Sequence, residues 1–397
     1  MLEDLLNHLG AVDDPRQVAK IEHRLVDVLA ISVCAVLAGA ESFEDIALYG
    51  KAKRPWLSRH LSLAGGVPSH DTVRRVLMLI GPAQFEDAFL AWTRAAFGPA
   101  DAPRQVAIDG KTLRRSFDRR RARSPLHLVS AFATQEGVVL AQRRALGGKA
   151  GRDRAGGGGE QGVLPDLVAG LDLRGTLVSL DAGFCHPRTA HAIAARGGDY
   201  LVALKGNCLS LHAPVRDWFG AHAFAIGGGE RPCIDDIEER HGPLTRRRTF
   251  VAGIDALIAE RPEAGDAAAA WTGLRRIVAV EAIRMVEHPP PGAGCKVTAE
   301  VRYFLTSSDA PPEKLAMAVR AHWAIENGLH WVLDTGFGED RSRVRHENAM
   351  ANLAMLRRIA LNLVRADTSP GSLKAKRKRA AWDDVFMQKI VLGNVHA

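Results

Sequence analysis

The stretch Arg104-Gln105-Val106-Ala107-Ile108-Asp109-Gly110-Lys111-Thr112-Leu113 marks the change of pattern on which the fold turns. Before it, apolar positions recur at spacings of three and four, as in Leu25, Val28, Leu29, Val33, Val36 and Leu37, the period of a helix with one buried face. From Gln105 onward the apolar residues come instead in short runs, rich in β-branched side chains and bounded by turn formers. That is the pattern of strands.

Gln105 to Ile108, Leu126 to Ala133 and Val138 to Ala141 read as three successive strands. Val163 to Leu171 reads as a helix, Leu177 to Leu180 as a strand, Pro187 to Arg196 as a helix and Tyr200 to Leu204 as a strand. Strands followed by alternating helices and strands give an α/β fold, a mixed sheet flanked by helices, compatible with the ribonuclease-H-like arrangement. Arg246 to Val251, Leu274 to Ile283 and Val297 to Phe304 add strands between Gly, Pro and Ala-rich segments. Long helical patterns follow from Pro312 to Val332 and from Asn348 to Val364. The expected organisation is a helical N-terminal domain over 1–100, a catalytic domain in two parts over 101–205 and 301–366, a β-rich insertion over 206–300, and a basic tail over 367–397, partly mobile up to Trp382.

At 397 residues and 47% apolar composition the chain can bury more than one core. A formal charge of +8 favours a polyanionic partner, and its distribution sharpens this. Between Arg104 and Arg123 stand eight basic residues against two acids, and Lys374, Lys376, Arg377, Lys378 and Arg379 cluster near the C-terminus. Five scattered cysteines without a Cys-x-x-Cys pair indicate neither a disulfide framework nor a structural zinc site. The acidic, amphipathic start carries no secretory pattern, and the longest apolar stretch, Val26 to Ala40, is interrupted by Asp27 and short for a bilayer. The expected location is cytoplasmic, with no membrane partner.

Three acids stand out. Asp109 and Asp181 each end an apolar run, and Glu326 lies within a helical pattern. At about 100° per residue, Val319, His322, Trp323, His330 and Leu333 share its face. A carboxylate on so apolar a stripe calls for a partner or a cation. Alone, Asp109-Gly110 also fits a tight turn and Asp181 a cap. His322 and His330 are expected to orient the carboxylate, contact phosphate or pair within the core. The rings of Trp323 and Trp331 are expected to pack. Ser69 caps a helix carrying Arg74 and Arg75, which reads as a recognition helix for a DNA groove or as a capped surface helix.

The residues Ala107-Ile108-Asp109-Gly110-Lys111-Thr112-Leu113-Arg114-Arg115, then Leu126-His127-Leu128-Val129, then Asp199-Tyr200-Leu201-Val202-Ala203-Leu204-Lys205-Gly206-Asn207, resemble the H-repeat-associated insertion-sequence transposases. So do His322-Trp323-Ala324-Ile325-Glu326-Asn327-Gly328-Leu329-His330-Trp331 and Asn352-Leu353-Ala354-Met355-Leu356-Arg357-Arg358, in the same order. The resemblance implies an Asp-Asp-Glu active site on a ribonuclease-H-like core. Asp109, Asp181 and Glu326 would hold two Mg²⁺ ions, with Mn²⁺ as a substitute. It further implies cleavage and strand transfer on double-stranded DNA at terminal inverted repeats and target sites, by a homo-oligomer associated with the bacterial nucleoid. The residues expected to contact DNA are Arg74, Arg75, Lys111, Arg114, Arg115, Lys205, His322 and His330. The alternative is a decayed or repurposed relative that only binds DNA. Within the resemblance, Glu160 matches a family glutamate in a glycine-rich stretch, Gly147 to Gly162. Cys185-His186 and Cys208 depart from the residues usual at their positions.

Overall fold

A computed structural model describes residues 2–98, 104–117, 125–145, 159–223, 233–239, 244–287 and 295–392. The arginine run at 119–123, and 147–158 of the glycine-rich stretch, lie outside the described residues. The architecture is mixed α/β, with many helices and nine strands among the described residues, most of them antiparallel. The strands are β1 (Arg104–Thr112), β2 (His127–Ala133), β3 (Val138–Ala145), β4 (Thr176–Leu180), β5 (Asp199–Leu204), β6 (Ile234–Glu239), β7 (Leu244–Gly253), β8 (Arg276–Glu287) and β9 (Cys295–Thr306). Two compact units result: one of Met1–Asp101, Asp109–Leu171 and Ala324–Ala397, the other of Ala102–Ile108 and Asp172–Trp323. The chain passes from the second to the first inside β1.

In the first unit the Leu25–Ala38 helix buries every residue from Leu25 to Leu37 except Val26, which explains why it is apolar on nearly all sides. The Glu347–Ala366 helix is equally buried, and its polar residues act as ties. Asn362 donates from Nδ2 to the Val139 carbonyl at 2.8 Å and accepts from the Val139 N–H at 2.9 Å. Asn352 donates to the carbonyls of Leu77 and Ile80 at 2.9 and 3.0 Å. Buried amides of this kind fix one register of packing, because any other leaves polar groups unpaired. Met350, Ala351 and Ala354 of this helix form a core with Leu113, Leu126 and Leu128, and β2 pairs antiparallel with β3.

In the second unit the strand order is β1-β4-β5-β9-β8-β7-β6. β1 and β4 are parallel, with Ile108 opposite Leu180, and β4 is parallel to β5. These are short, nearly continuous apolar runs, as suits strands covered on both faces. The remaining pairings are antiparallel. The Pro312–Ala321 helix packs Leu315 and Ala318 against Leu201, Val278 and Phe304.

Three expectations fail. The helical pattern from Pro312 to Val332 is not continuous: the Pro312–Ala321 α-helix is followed by a π-helical turn, Ile325–His330, and a short helix, Trp331–Gly336. Arg365 donates to the Gly328 carbonyl and so holds the widened turn open. Trp323 and Trp331 are 50% and 62% exposed rather than packed in the core, with the Arg302 guanidinium 5.2 Å from the Trp323 ring centroid. The segment expected to be partly mobile up to Trp382 forms the helix Leu373–Trp382. Arg377 stacks 3.8 Å from the Phe337 ring centroid and donates to the Val36 and Leu37 carbonyls at 2.9 and 3.1 Å, so part of the basic cluster is structural. No single helix among the described residues is long and apolar enough to cross a membrane.

Candidate active site

Asp109 lies in β1, buried, and Gly110 follows for a packing reason. A Cβ on Gly110 would stand 2.3 Å from Glu160 Oε1 and 2.5 Å from His127 Nε2. His127 Nε2 and Glu160 Oε1 are 2.7 Å apart, both side chains almost wholly buried, and Thr112 Oγ1 lies 2.8 Å from His127 Nδ1. The Asp-Gly pair that reads as a tight turn is therefore strand backbone pressed against a buried carboxylate–imidazole pair.

Asp109 meets two groups from the π turn. His330 Nε2 is 3.2 Å from Asp109 Oδ2, with His330 buried. The Glu326 carboxyl stands close enough to Asp109 to feel its charge. Burial first, then the Asp109 charge, raises the Glu326 carboxyl above its ordinary range, opposed by His330 and Lys111. The residue as a whole is exposed, in contrast to the buried stripe expected, while Ile325, Leu329 and His330 point inward. The widened turn thus sets an exposed acid beside the buried Asp109. Two hard oxygen donors so placed fit a divalent cation, which would relieve their repulsion. Among the described residues no group of three or more His, Cys, Asp or Glu side chains is gathered as a metal centre.

Beneath this pair runs a network that sequence reasoning missed. Lys111, expected at DNA, is only 9% exposed; its ammonium binds Asp334 and the Glu339 Oε2 at 3.3 Å. Glu339 in turn meets Arg358 Nη1 at 2.6 Å, with neither side chain exposed. Burial alone would raise the Glu339 carboxyl, yet Arg358, Lys111 and Arg357 outweigh it and hold the pKa at about 2. The signal was present: Arg357-Arg358 interrupts an apolar helical pattern, and a buried guanidinium requires a buried acid.

In the second unit Asp181 follows β4, half-buried, and its Oδ1 accepts from the Gly183 N–H at 2.9 Å, capping the turn Ala182–Phe184. The capping role is real. His322, expected near Glu326, lies with its Nδ1 3.0 Å from Ser179 Oγ, and Gln105 Nε2 donates to the same hydroxyl at 3.0 Å. Lys205 is exposed at the end of β5. In the first unit Arg74, Arg75, Arg114 and Arg115 are exposed, Arg74 pairing with Asp71 at 3.1 Å and Arg114 with Asp340 at 3.5 Å. Ser69 Oγ accepts from the Thr72 N–H at 3.2 Å, so the cap read from sequence is formed.

Residues 101–363 match the family described as Transposase DDE domain, and residues 6–93 match its associated N-terminal domain. The chain is 32% identical over 391 residues to the candidate transposase YncI of Escherichia coli O157:H7, covering 98% of this chain and 95% of that one. It is 33% identical over 397 residues to the H repeat-associated candidate transposase YhhI of Escherichia coli strain K12, covering 99% of each. A structural likeness to a piggyBac transposase in a synaptic complex with hairpin DNA covers 99% of this chain and 80% of that one. At 10% identity and a TM-score of 0.41 it carries no argument. By sequence, then, this chain belongs to the DDE-domain transposases, in the H repeat-associated group.

Proposed function

We propose that the chain is an active DNA transposase, with Asp109, Asp181 and Glu326 as the acids of its metal site on a ribonuclease-H-like core. The observation that carries the reading is the carboxyl pair Asp109–Glu326, two acids kept together at the cost of a raised pKa. Supporting it, Asp109 and Asp181 each follow directly on the residues Ile108 and Leu180, which are opposite one another in the parallel pair β1–β4. The order β3-β2 with the end of β1 in the first unit, and β1-β4-β5 in the second, suits the proposed core. When bound, Mg²⁺ would activate the attacking oxygen and stabilise the leaving 3′-oxygen of a phosphodiester. The chain's own residues do the rest. Asp109 and Glu326 serve as ionised ligands, and His330 orients Asp109 from its buried side. Arg74, Arg75, Arg114, Arg115 and Lys205 contact DNA phosphates, and their number sets the salt dependence of binding. The partners are terminal inverted repeats and target DNA, the working form is a homo-oligomer, and the setting is the bacterial cytoplasm at the nucleoid.

The test compares the unsubstituted protein with Asp181→Asn on duplexes carrying the ends of the element that encodes it. The unsubstituted protein should nick at the ends in Mg²⁺; the variant should bind them with similar affinity and not cut. Equal cutting by both would overturn the assignment of Asp181. Salt-sensitive binding without metal-dependent nicking by the unsubstituted protein would reduce the function to DNA binding.

A further inference from the structure

Two side chains tie the π turn that carries Glu326 to the rest of the first unit. One is His330 at its end, whose Nε2 lies 3.2 Å from Asp109 Oδ2. The other comes from outside the turn. Arg365, near the end of the Glu347–Ala366 helix, donates from Nη2 to the Gly328 carbonyl and from Nη1 to the carbonyl of Gly137, between β2 and β3. Its guanidinium carbon stands 5.4 Å from the ring centroid of Phe132 in β2. The π turn closes on the same ring: a Cβ on Gly328 would be 3.3 Å from Phe132 Cζ and 3.9 Å from Arg365 Nη2. Three residues earlier on the helix, Asn362 is bonded twice to Val139 at the start of β3, which fixes where the Arg365 stem begins.

From this bridge we propose that Arg365 is the positioning residue of Glu326: by joining the β2–β3 turn to the middle of the π turn, it fixes the heading of a carboxyl to which it makes no bond. The inference rests on Glu326 being an acid of the metal site, as proposed above, and adds the residue that sets its aim. Arg365 differs in kind from Arg358, which faces the carboxylate of Glu339. Both Nη groups of Arg365 go to carbonyls, and among the described residues it has no acid partner. Burial pulls its pKa down to about 10, so it still carries its charge at neutral pH. A half-buried cation without a counter-ion is unfavourable as mere packing. Two carbonyls on different elements call for the rigid fork of a guanidinium, since the single nitrogen of a lysine is a point donor. Gly328 lies two residues beyond Glu326. Without a donor at its carbonyl the wide turn is free to relax toward α-helical pitch, and the carboxyl swings about the axis.

Hydrogen exchange and nicking would be measured on the full chain with Arg365→Met, which keeps the stem and removes the donors, and with Arg365→Lys, which keeps the charge on one nitrogen. Backbone amides over 325–330 should exchange at least about tenfold faster in Arg365→Met. Those over 347–361 should keep the rate of the unsubstituted protein, and Arg365→Lys should lie between. On duplexes carrying the ends of the mobile element, the Mg²⁺ concentration for half-maximal nicking should rise about 10–100-fold, with DNA affinity unchanged. In Arg365→Ala, millimolar guanidinium chloride should restore part of both losses. Unchanged exchange over 325–330 in Arg365→Met would overturn the proposal whether or not the protein cuts DNA. Exchange raised equally over 347–361 in both variants would make Arg365 a general support of its helix and overturn it too, as would faster exchange of the turn with an unaltered Mg²⁺ requirement. An unsubstituted protein that does not nick counts against the transposase reading alone, and the exchange comparison still decides on Arg365.

Discussion

Replacing Gly110 by Ala adds a single carbon, and the structure fixes where it would go. The new Cβ would lie 2.3 Å from Glu160 Oε1 and 2.5 Å from His127 Nε2, against the 3.4 Å at which ordinary contact begins. Something must therefore move by roughly 1 Å, and neither neighbour is free to do so, since each is nearly wholly buried and they stand 2.7 Å apart. Overpacking of this kind costs about 1–3 kcal/mol. Pulling the buried His127–Glu160 pair apart adds about 1–3 kcal/mol. The sum, about 2–6 kcal/mol, should lower the melting temperature on the order of 10 °C. If the strand yields instead, Asp109, the adjacent residue, moves, and a displacement near 1 Å in a reacting group costs about 10²-fold in rate. The assay is a thermal melt by circular dichroism, paired with Mg²⁺-dependent nicking at a temperature where both proteins are folded. A Gly110→Ala protein that melts within about a degree of the parent and nicks at the same rate would refute the close-approach account of this glycine.

Glu339→Gln should destabilise by about 3–5 kcal/mol, because it leaves Arg358 and Lys111 without their buried counter-charge; urea titration measures this, and a loss below about 1 kcal/mol would contradict the network. Glu86 is raised to about 7, by burial against the opposing pull of Arg143 and Arg144. The folded state thus holds a proton that the unfolded chain releases above the ordinary Glu range. Stability from this group is full below about 4.5 and declines as pH climbs to about 7, so Glu86→Gln should flatten the decline in melting temperature across that window. Mg²⁺ should raise the melting temperature of the unsubstituted protein more at pH 8 than at pH 5, since the Glu326 carboxyl, raised by burial and by Asp109, must be ionised to act as a ligand. A pH-independent shift would argue against that pair as ligands.

The sequence made the strands around Asp109 and Asp181 legible because apolar runs ending in an acid combine two signals, period and interruption. The helices at 187–194 and 347–366 were equally plain from their period. What stayed hidden depended on contacts distant in sequence. Gly110 looks like a turn former until Glu160 is brought against it. The Leu209–His222 helix is masked by Pro214 in its interior, which breaks the local pattern but not the packed helix. The tail was misread because charge suggests solvent, whereas Arg377 buries its stem and its guanidinium against carbonyls and Phe337. Of the candidate acids, Asp109 and Glu326 could be paired only once the π turn was known, since an ideal helix predicts a different face for Glu326.

A π turn accommodates one residue more than the α turn it replaces, so the aim of Glu326 is governed by how many residues occupy 325–330 as much as by which residues they are. Deleting one residue ahead of Leu329 would restore α-helical pitch and swing the carboxyl through about 100° about the axis. Substitution at the same positions would leave its heading unchanged. For the lineage of this chain, small insertions and deletions in that turn are thus a route to silencing or re-aiming the acid that leaves the composition of the protein almost untouched.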